Sequence, residues 1–132
     1  MLEVSYATVY VTDQDRALDF YTRVLGLEKL RDLPLGPGSR WIEVGTPGAA
    51  TTILLYRPTE ASPGGRDVSE RRSRIGHETG IGLRTDDIKA VFERLRVANA
   101  RIDEEPRAES WGTQGIFADP DGNRFVVVQP PG

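Results

Sequence analysis

The sequence predicts an α+β fold built from two βαβββ modules in tandem, and three observations carry that expectation. An alternating strand runs straight into an Asp-capped amphipathic helix from residue 6, and the same succession returns from residue 80. Each helix ends on a residue suited to left-handed backbone, Gly26 in the first half and Asn99 in the second. Strand-like pieces split by a turn then follow, with Gly45-Thr46-Pro47-Gly48 in one half and Asp119-Pro120-Asp121-Gly122-Asn123 in the other. The matched features lie about 74 residues apart.

Residues 6–13 alternate, with Ala7, Val9 and Val11 on one face and Tyr6, Thr8 and Tyr10 on the other. That is the pattern of a strand with one face on a core. Asp13 can accept the orphan amides of a first helical turn, and Ala17, Phe20, Tyr21 and Val24 follow at helical spacing. Strands are expected at Arg40 to Val44 and Thr51 to Arg57, with a weaker one at Glu28 to Leu33. In the second half Ile81 and Leu83 oppose Gly80, Gly82 and Arg84. Asp86 or Asp87 then caps a helix whose stripe is Ile88, Val91, Phe92 and Leu95. Strands are expected at Gly115 to Ala118 and Arg124 to Gln129, and a weaker one at Arg101 to Arg107. One domain, residues 1–132, thus holds module 1 at about 4–57 and module 2 at about 79–130. The segment between them, 58–78, contains Pro58, Ser62-Pro63-Gly64-Gly65 and the cluster Arg71, Arg72 and Arg74. Its composition is that of an exposed loop, a mobile lid or a tether, with the arginines on a solvated face.

Composition narrows the chemistry. The 132 residues include no cysteine, one histidine (His77), 17 basic and 20 acidic side chains, a net charge of −3. A chain of this length buries enough surface to fold without disulfides or a structural metal. The absence of cysteine excludes thiolate zinc sites, iron–sulfur clusters and a cysteine nucleophile. One histidine leaves no multi-histidine metal site within the chain. Neither a nucleophile elbow nor a phosphate-binding glycine loop is present. The acidic balance argues against a nucleic-acid partner. No signal-peptide pattern or membrane-length apolar run appears, so a cytoplasmic protein without membrane contact is expected.

Three motifs in order, Val11 to Tyr21, Leu25-Gly26-Leu27-Glu28 and Asp119-Pro120-Asp121-Gly122-Asn123, give the chain its family likeness. It resembles the vicinal oxygen chelate superfamily of glyoxalase I, bleomycin resistance proteins, extradiol dioxygenases and fosfomycin resistance enzymes. The resemblance implies strands forming a curved, incomplete barrel with helices outside and a ligand cleft within. It also implies a homodimer. Metal-dependent members hold a divalent ion between His or Gln and Glu side chains on the first and last strands of each module. The matching positions are Tyr6, Gly80 (or Thr79 if Asp86 is the cap), Val126, and Thr52 or Leu54. None is a histidine or carboxylate, whereas a hard divalent ion needs several oxygen or nitrogen donors at about 2.0–2.6 Å. No metal or other cofactor is therefore expected.

Strand parity shows what the cleft offers instead. Tyr6, Thr8, Tyr10, Trp41, Glu43, Tyr56 and Arg84 share the cleft face, and Trp111 is a further candidate wall. Aromatic walls and a few polar groups suit a flat organic ligand. Glu43 beside Trp41 is a candidate base or cation binder if burial raises its pKa. Arg57 and Arg84 are candidates for an anionic or carbonyl group. The function expected is metal-independent binding of a small aromatic molecule, as in bleomycin-resistance-type sequestration. The alternative is a glyoxalase-like lyase or isomerase, or a dioxygenase, with a non-standard metal site drawn from Glu43, Glu78, Tyr6 or His77.

Overall fold

Alternation becomes strand pairing in the computed structural model, which describes residues 1–59 and 68–132. The chain divides into two units, Met1–Ile75 and Gly76–Gly132. Each carries one open four-stranded sheet rather than a closed barrel.

The first unit runs β1 (Tyr6–Tyr10), α1 (Gln14–Asp19), β2 (Glu28–Gly36), β3 (Ser39–Gly45), β4 (Thr52–Tyr56) and α2 (Val68–Ser73). Its strand order is β1-β4-β3-β2, with β1 parallel to β4 and the remaining pairs antiparallel. Asp13 caps α1 by accepting from the Arg16 amide at 3.0 Å. The regular helix expected through Val24 instead widens into a π-helical turn, Phe20–Val24, with the Leu25 amide donating to the Phe20 carbonyl. Phe20, Tyr21 and Val24 are all buried in that turn, and Gly26 ends it at φ +78°. They join Val9, Val11, Ile42, Val44, Ile53 and Leu55, the buried face of the sheet. Burying each such side chain stabilises the fold by about 1.5–3 kcal/mol. Gln14 ties the helix start to the sheet, its Nε2 donating to the Arg40 and Leu55 carbonyls at 2.7 and 2.9 Å.

The second unit repeats the plan as β5 (Glu78–Arg84), α3 (Ile88–Val97), β6 (Arg101–Glu109), β7 (Gly112–Ala118) and β8 (Arg124–Gln129), in the order β5-β8-β7-β6. Asp87 is the cap, accepting from the Ala90 amide at 3.1 Å, and Asn99 stands at φ +56°. Ile88, Phe92 and Leu95 are buried with Phe117, Phe125 and Val127. The turn before β8 is held by its own side chains. Asp119 Oδ1 accepts from the Asp121 and Asn123 amides, and Asn123 Nδ2 donates to Asp119 Oδ2, each at 2.9 Å.

Three boundaries differ from the sequence expectation. β2 and β6 run to nine residues each, β2 past the expected Leu33 through Pro34 and β6 past the expected Arg107 to Glu109; both are edge strands, where proline removes no donor the sheet requires. β7 starts at Gly112 rather than Gly115. Within the segment read as a loop, Val68–Ser73 is helical and Glu78 already belongs to β5. Residues 60–67, including Ser62-Pro63-Gly64-Gly65, lie outside the described residues.

Candidate functional site

The sheet face of the first unit opposite the helix carries the site. Register sets it: Tyr6 lies opposite Thr52, Thr8 opposite Leu54 and Tyr10 opposite Tyr56, while Glu43 pairs with Leu54 on the other side of β4. Since successive side chains alternate, the residues facing Val9, Ile42 and Leu55 go to the core and these go to the other face. A recess of about 280 Å³ forms there, lined by Tyr6, Thr8, Tyr10, Trp41, Leu54, Tyr56 and Arg71. Tyr6 and Trp41 meet edge to face at one end, ring centres 5.2 Å apart, and Tyr10 and Tyr56 do so at the other, 6.1 Å apart. Thr8 and Leu54, small or aliphatic, lie between them along paired β1 and β4.

Glu43 does not line the recess; it fixes the wall. Trp41 Nε1 donates to Glu43 Oε2 at 2.6 Å, and Thr52 Oγ1 donates to Glu43 Oε1 at 2.7 Å. Arg31 Nε lies 3.7 Å from the same carboxylate, whose side chain is only 15% exposed. Burial pushes the carboxyl up, but the Thr52 and Trp41 hydrogen bonds and the Arg31 charge outweigh it and hold it below the ordinary glutamate value. The rise that would make Glu43 a base is therefore not what this environment produces. A carboxylate bonded twice stays ionised and acts as an anchor.

A pH prediction follows from that direction. A group whose folded pKa is depressed contributes stability that is complete above its unfolded value, about 4.3 for glutamate, and is lost as pH falls through the folded value. Trp41 emission, read in a Trp111→Phe background, is expected to be constant from neutral pH down to the ordinary glutamate value and to change only below it. In the Glu43→Gln variant that low-pH step should disappear.

Arg71 is the lining residue that sequence reading missed. It sits on α2 with its guanidinium carbon 5.9 Å from the centre of the Tyr56 ring, and it is half-buried rather than solvated. Six residues broken by alternating charge gave no helical period to reveal it. Arg57 lies elsewhere, donating to the Gly38 carbonyl at 3.2 Å. It borders a larger polar cavity of about 470 Å³ with Asp13, Asp15 and Arg40. There Arg40 is engaged by Asp15 at 2.6 Å and Asp32 at 2.7 Å, and no aromatic side chain is present in the lining.

Arg84 and Trp111 belong to the second unit. Arg84 borders a cavity with Thr85, Asp86, Gln129, Pro130 and Gly132. Trp111 stands 54% exposed in the turn between β6 and β7, its Nε1 donating to Gln114 Oε1 at 2.9 Å.

The positions where relatives hold a divalent ion do not fit one here. Thr52 donates to Glu43, and Asp87 as the cap makes Gly80 the second-module position. Gly80 stands at φ +70° in a bulge where β5 slips against β8 between Glu78 and Gly82. Thr79 builds the bulge by donating to the Arg124 carbonyl at 2.7 Å and accepting from the Ile81 amide at 3.1 Å. A histidine is strained at that φ. Glu78 accepts from the Gly80 amide at 3.3 Å and lies 3.7 Å from Arg124. Among the described residues no group of three or more His, Asp and Glu side chains gathers as ligands would.

Two tandem βαβββ units, the first carrying a recess walled by aromatic rings, place the chain in a class of paired-module α+β proteins. The chain belongs to the Glyoxalase/Bleomycin resistance protein/Dioxygenase superfamily, whose family model matches residues 3–127. Among solved structures it is similar to TnmS3, an antibiotic binding protein from Streptomyces sp. CB03234, at 33% identity and a TM-score of 0.77, covering 99% of this chain and 98% of that one. It is also similar to a superfamily member from Sphaerobacter thermophilus DSM 20745, at 37% identity and a TM-score of 0.78, covering 98% of each chain. The uncharacterized protein YetH of Bacillus subtilis strain 168 is 30% identical over 127 residues, 96% of this chain and 98% of that protein. No helix among the described residues is long and apolar enough to cross a membrane.

Proposed function

We propose that this protein binds a small, planar aromatic molecule in the recess of its first unit, without a metal, and sequesters it rather than transforming it. The observation that carries the reading is the gathering of Tyr6, Tyr10, Trp41 and Tyr56 around one recess, with Thr8 and Leu54 between the two aromatic pairs. Edge-to-face ring pairs leave faces on which a flat ring can stack. The ionised, doubly bonded Glu43 supports binding over acid–base chemistry, since a general base needs a pKa raised toward neutrality. A similar solved protein that binds an antibiotic supports it as well. We place it in the cytoplasm as a homodimer, to be checked by light scattering of the purified protein.

Titration with a panel of two- and three-ring aromatic compounds is the test. Saturable quenching of Trp41 emission and a raised melting temperature are expected with at least one compound, and elemental analysis should find no stoichiometric divalent metal after growth in supplemented medium. A panel that moves neither emission nor melting temperature would overturn the binding reading. One equivalent of tightly held metal would overturn its metal independence and favour the enzymatic alternative.

A further inference from the structure

At the Tyr10–Tyr56 end, α2 brings cationic side chains to the recess. Arg71 lines it, half-buried, against the Tyr56 ring. Just past the end of α2 and outside the lining, Arg74 is bonded to Glu70 at 2.9 Å and interacts with the Tyr10 phenol. Among the described residues no carboxylate lines the recess, and Glu43, behind Trp41, has both oxygens occupied by Trp41 and Thr52. The end formed by Tyr6 and Trp41 carries no cation among the described lining residues. Among the described residues the recess is thus aromatic along its length, with a guanidinium at the Tyr10–Tyr56 end.

We propose that the molecule taken by this recess is an aromatic acid whose carboxylate pairs with Arg71. This rests on the reading of the recess as a site for planar aromatic molecules and names their chemical class. A guanidinium presents parallel N–H donors that match a carboxylate, and its delocalised plane can stack on an aromatic ring while it does so. Four residue steps along β1 take Tyr6 to Tyr10, roughly 13 Å of strand. A ring system lodged against Tyr6 and Trp41 therefore reaches the α2 end with a substituent, where Arg71 meets it. Half-burial among rings strengthens the pairing relative to a surface ion pair, because fewer waters and salt ions compete.

The test compares 2-naphthoate with 2-naphthamide, which share their rings and differ in charge, by calorimetric titration of the full chain. The acid is expected to bind about tenfold more tightly than the amide, the difference a charge-assisted pairing makes. Its affinity should fall with added salt while that of the amide holds. Arg71→Gln should bring the two compounds within about twofold of each other by weakening the acid alone, and Arg71→Lys should keep part of the preference. Arg72→Gln, on the exposed side of α2, should change neither. Equal, salt-independent binding of both compounds by the unaltered protein would overturn the inference and leave the aromatic recess standing. A preference that survives Arg71→Gln would overturn the assignment to Arg71. If neither compound binds, the reading of the recess falls and the inference with it. The salt dependence of the unaltered protein and the Arg71→Lys variant keep the outcome decisive should Arg71→Gln fold poorly.

Discussion

Replacing Gly112 with alanine is expected to destabilise the protein by about 3 kcal/mol, combining the strain of an unfavourable backbone region with overpacking against backbone. Gly112 opens β7 at φ +135°, where side chains are rarely tolerated. A Cβ there would lie 2.3 Å from the Gln129 carbonyl oxygen and 3.2 Å from Pro130 Cα. Those are backbone atoms of the neighbouring strand end and cannot rotate away, so the hairpin between β6 and β7 would have to shift against β8. A loss of this size corresponds to a fall in melting temperature on the order of 10 °C for a chain of this length. Gly80→Ala is the control, because Gly80 also has positive φ, +70°, but nothing lies within 4 Å of the added carbon. Only the left-handed penalty of about 1–2 kcal/mol should appear there. Urea unfolding of the two variants separates close approach from backbone conformation; equal midpoints would refute the role given to the Gln129 contact.

What could be read in the sequence followed the range of the forces involved. Helix caps at Asp13 and Asp87, the stop at Gly26 and the left-handed Asn99 depend on a few neighbouring residues, and the chemistry of those residues announces them. The placement of Tyr6, Thr8, Tyr10, Trp41 and Tyr56 on one face needs only the period of two. The ionisation of Glu43 was not legible, because it depends on the Thr52 hydroxyl arriving from the neighbouring strand nine residues on. Nor was Arg71, whose place depends on a short helix returning to the sheet beside Tyr56. The edge strand β2 was read too short, stopping before Pro34, because proline weighs against a strand locally, whereas edge position, a property of the whole sheet, permits it. That Tyr6, Gly80 and Val126 stand where metal-dependent relatives hold ligands was legible as residue identity. The bulge that puts Gly80 at positive φ was not, since the Thr79 side chain makes it by reaching the Arg124 carbonyl on β8.

Replacing Trp41 with alanine is expected to have the largest effect on ligand affinity, a loss of about 30-fold for 2-naphthamide, equivalent to roughly 2 kcal/mol. The neutral probe makes this prediction independent of Arg71. Trp41 supplies one wall at the end shared with Tyr6, and its ring is held there rather than free to rotate. A stacking surface fixed before the ligand arrives binds more tightly than one that must be ordered on binding. Trp41→Phe keeps an aromatic face but cannot donate to Glu43, so the ring loses its anchor while the wall remains; about threefold weaker binding is expected from that loss of preorganisation. Glu43→Leu removes the anchor from the other side and leaves the indole N–H and the Thr52 hydroxyl without their acceptor, so it should weaken binding at least as much as Trp41→Phe. The two effects should not add. Once Trp41 is phenylalanine, the carboxylate has no indole to hold, and Glu43→Leu in that background should change affinity by less than about twofold. Calorimetric titration of the four proteins in that cycle measures the coupling directly. Additive losses would mean that Glu43 influences the ligand by some route other than the Trp41 ring, whereas strong coupling identifies the carboxylate as the group that positions the wall.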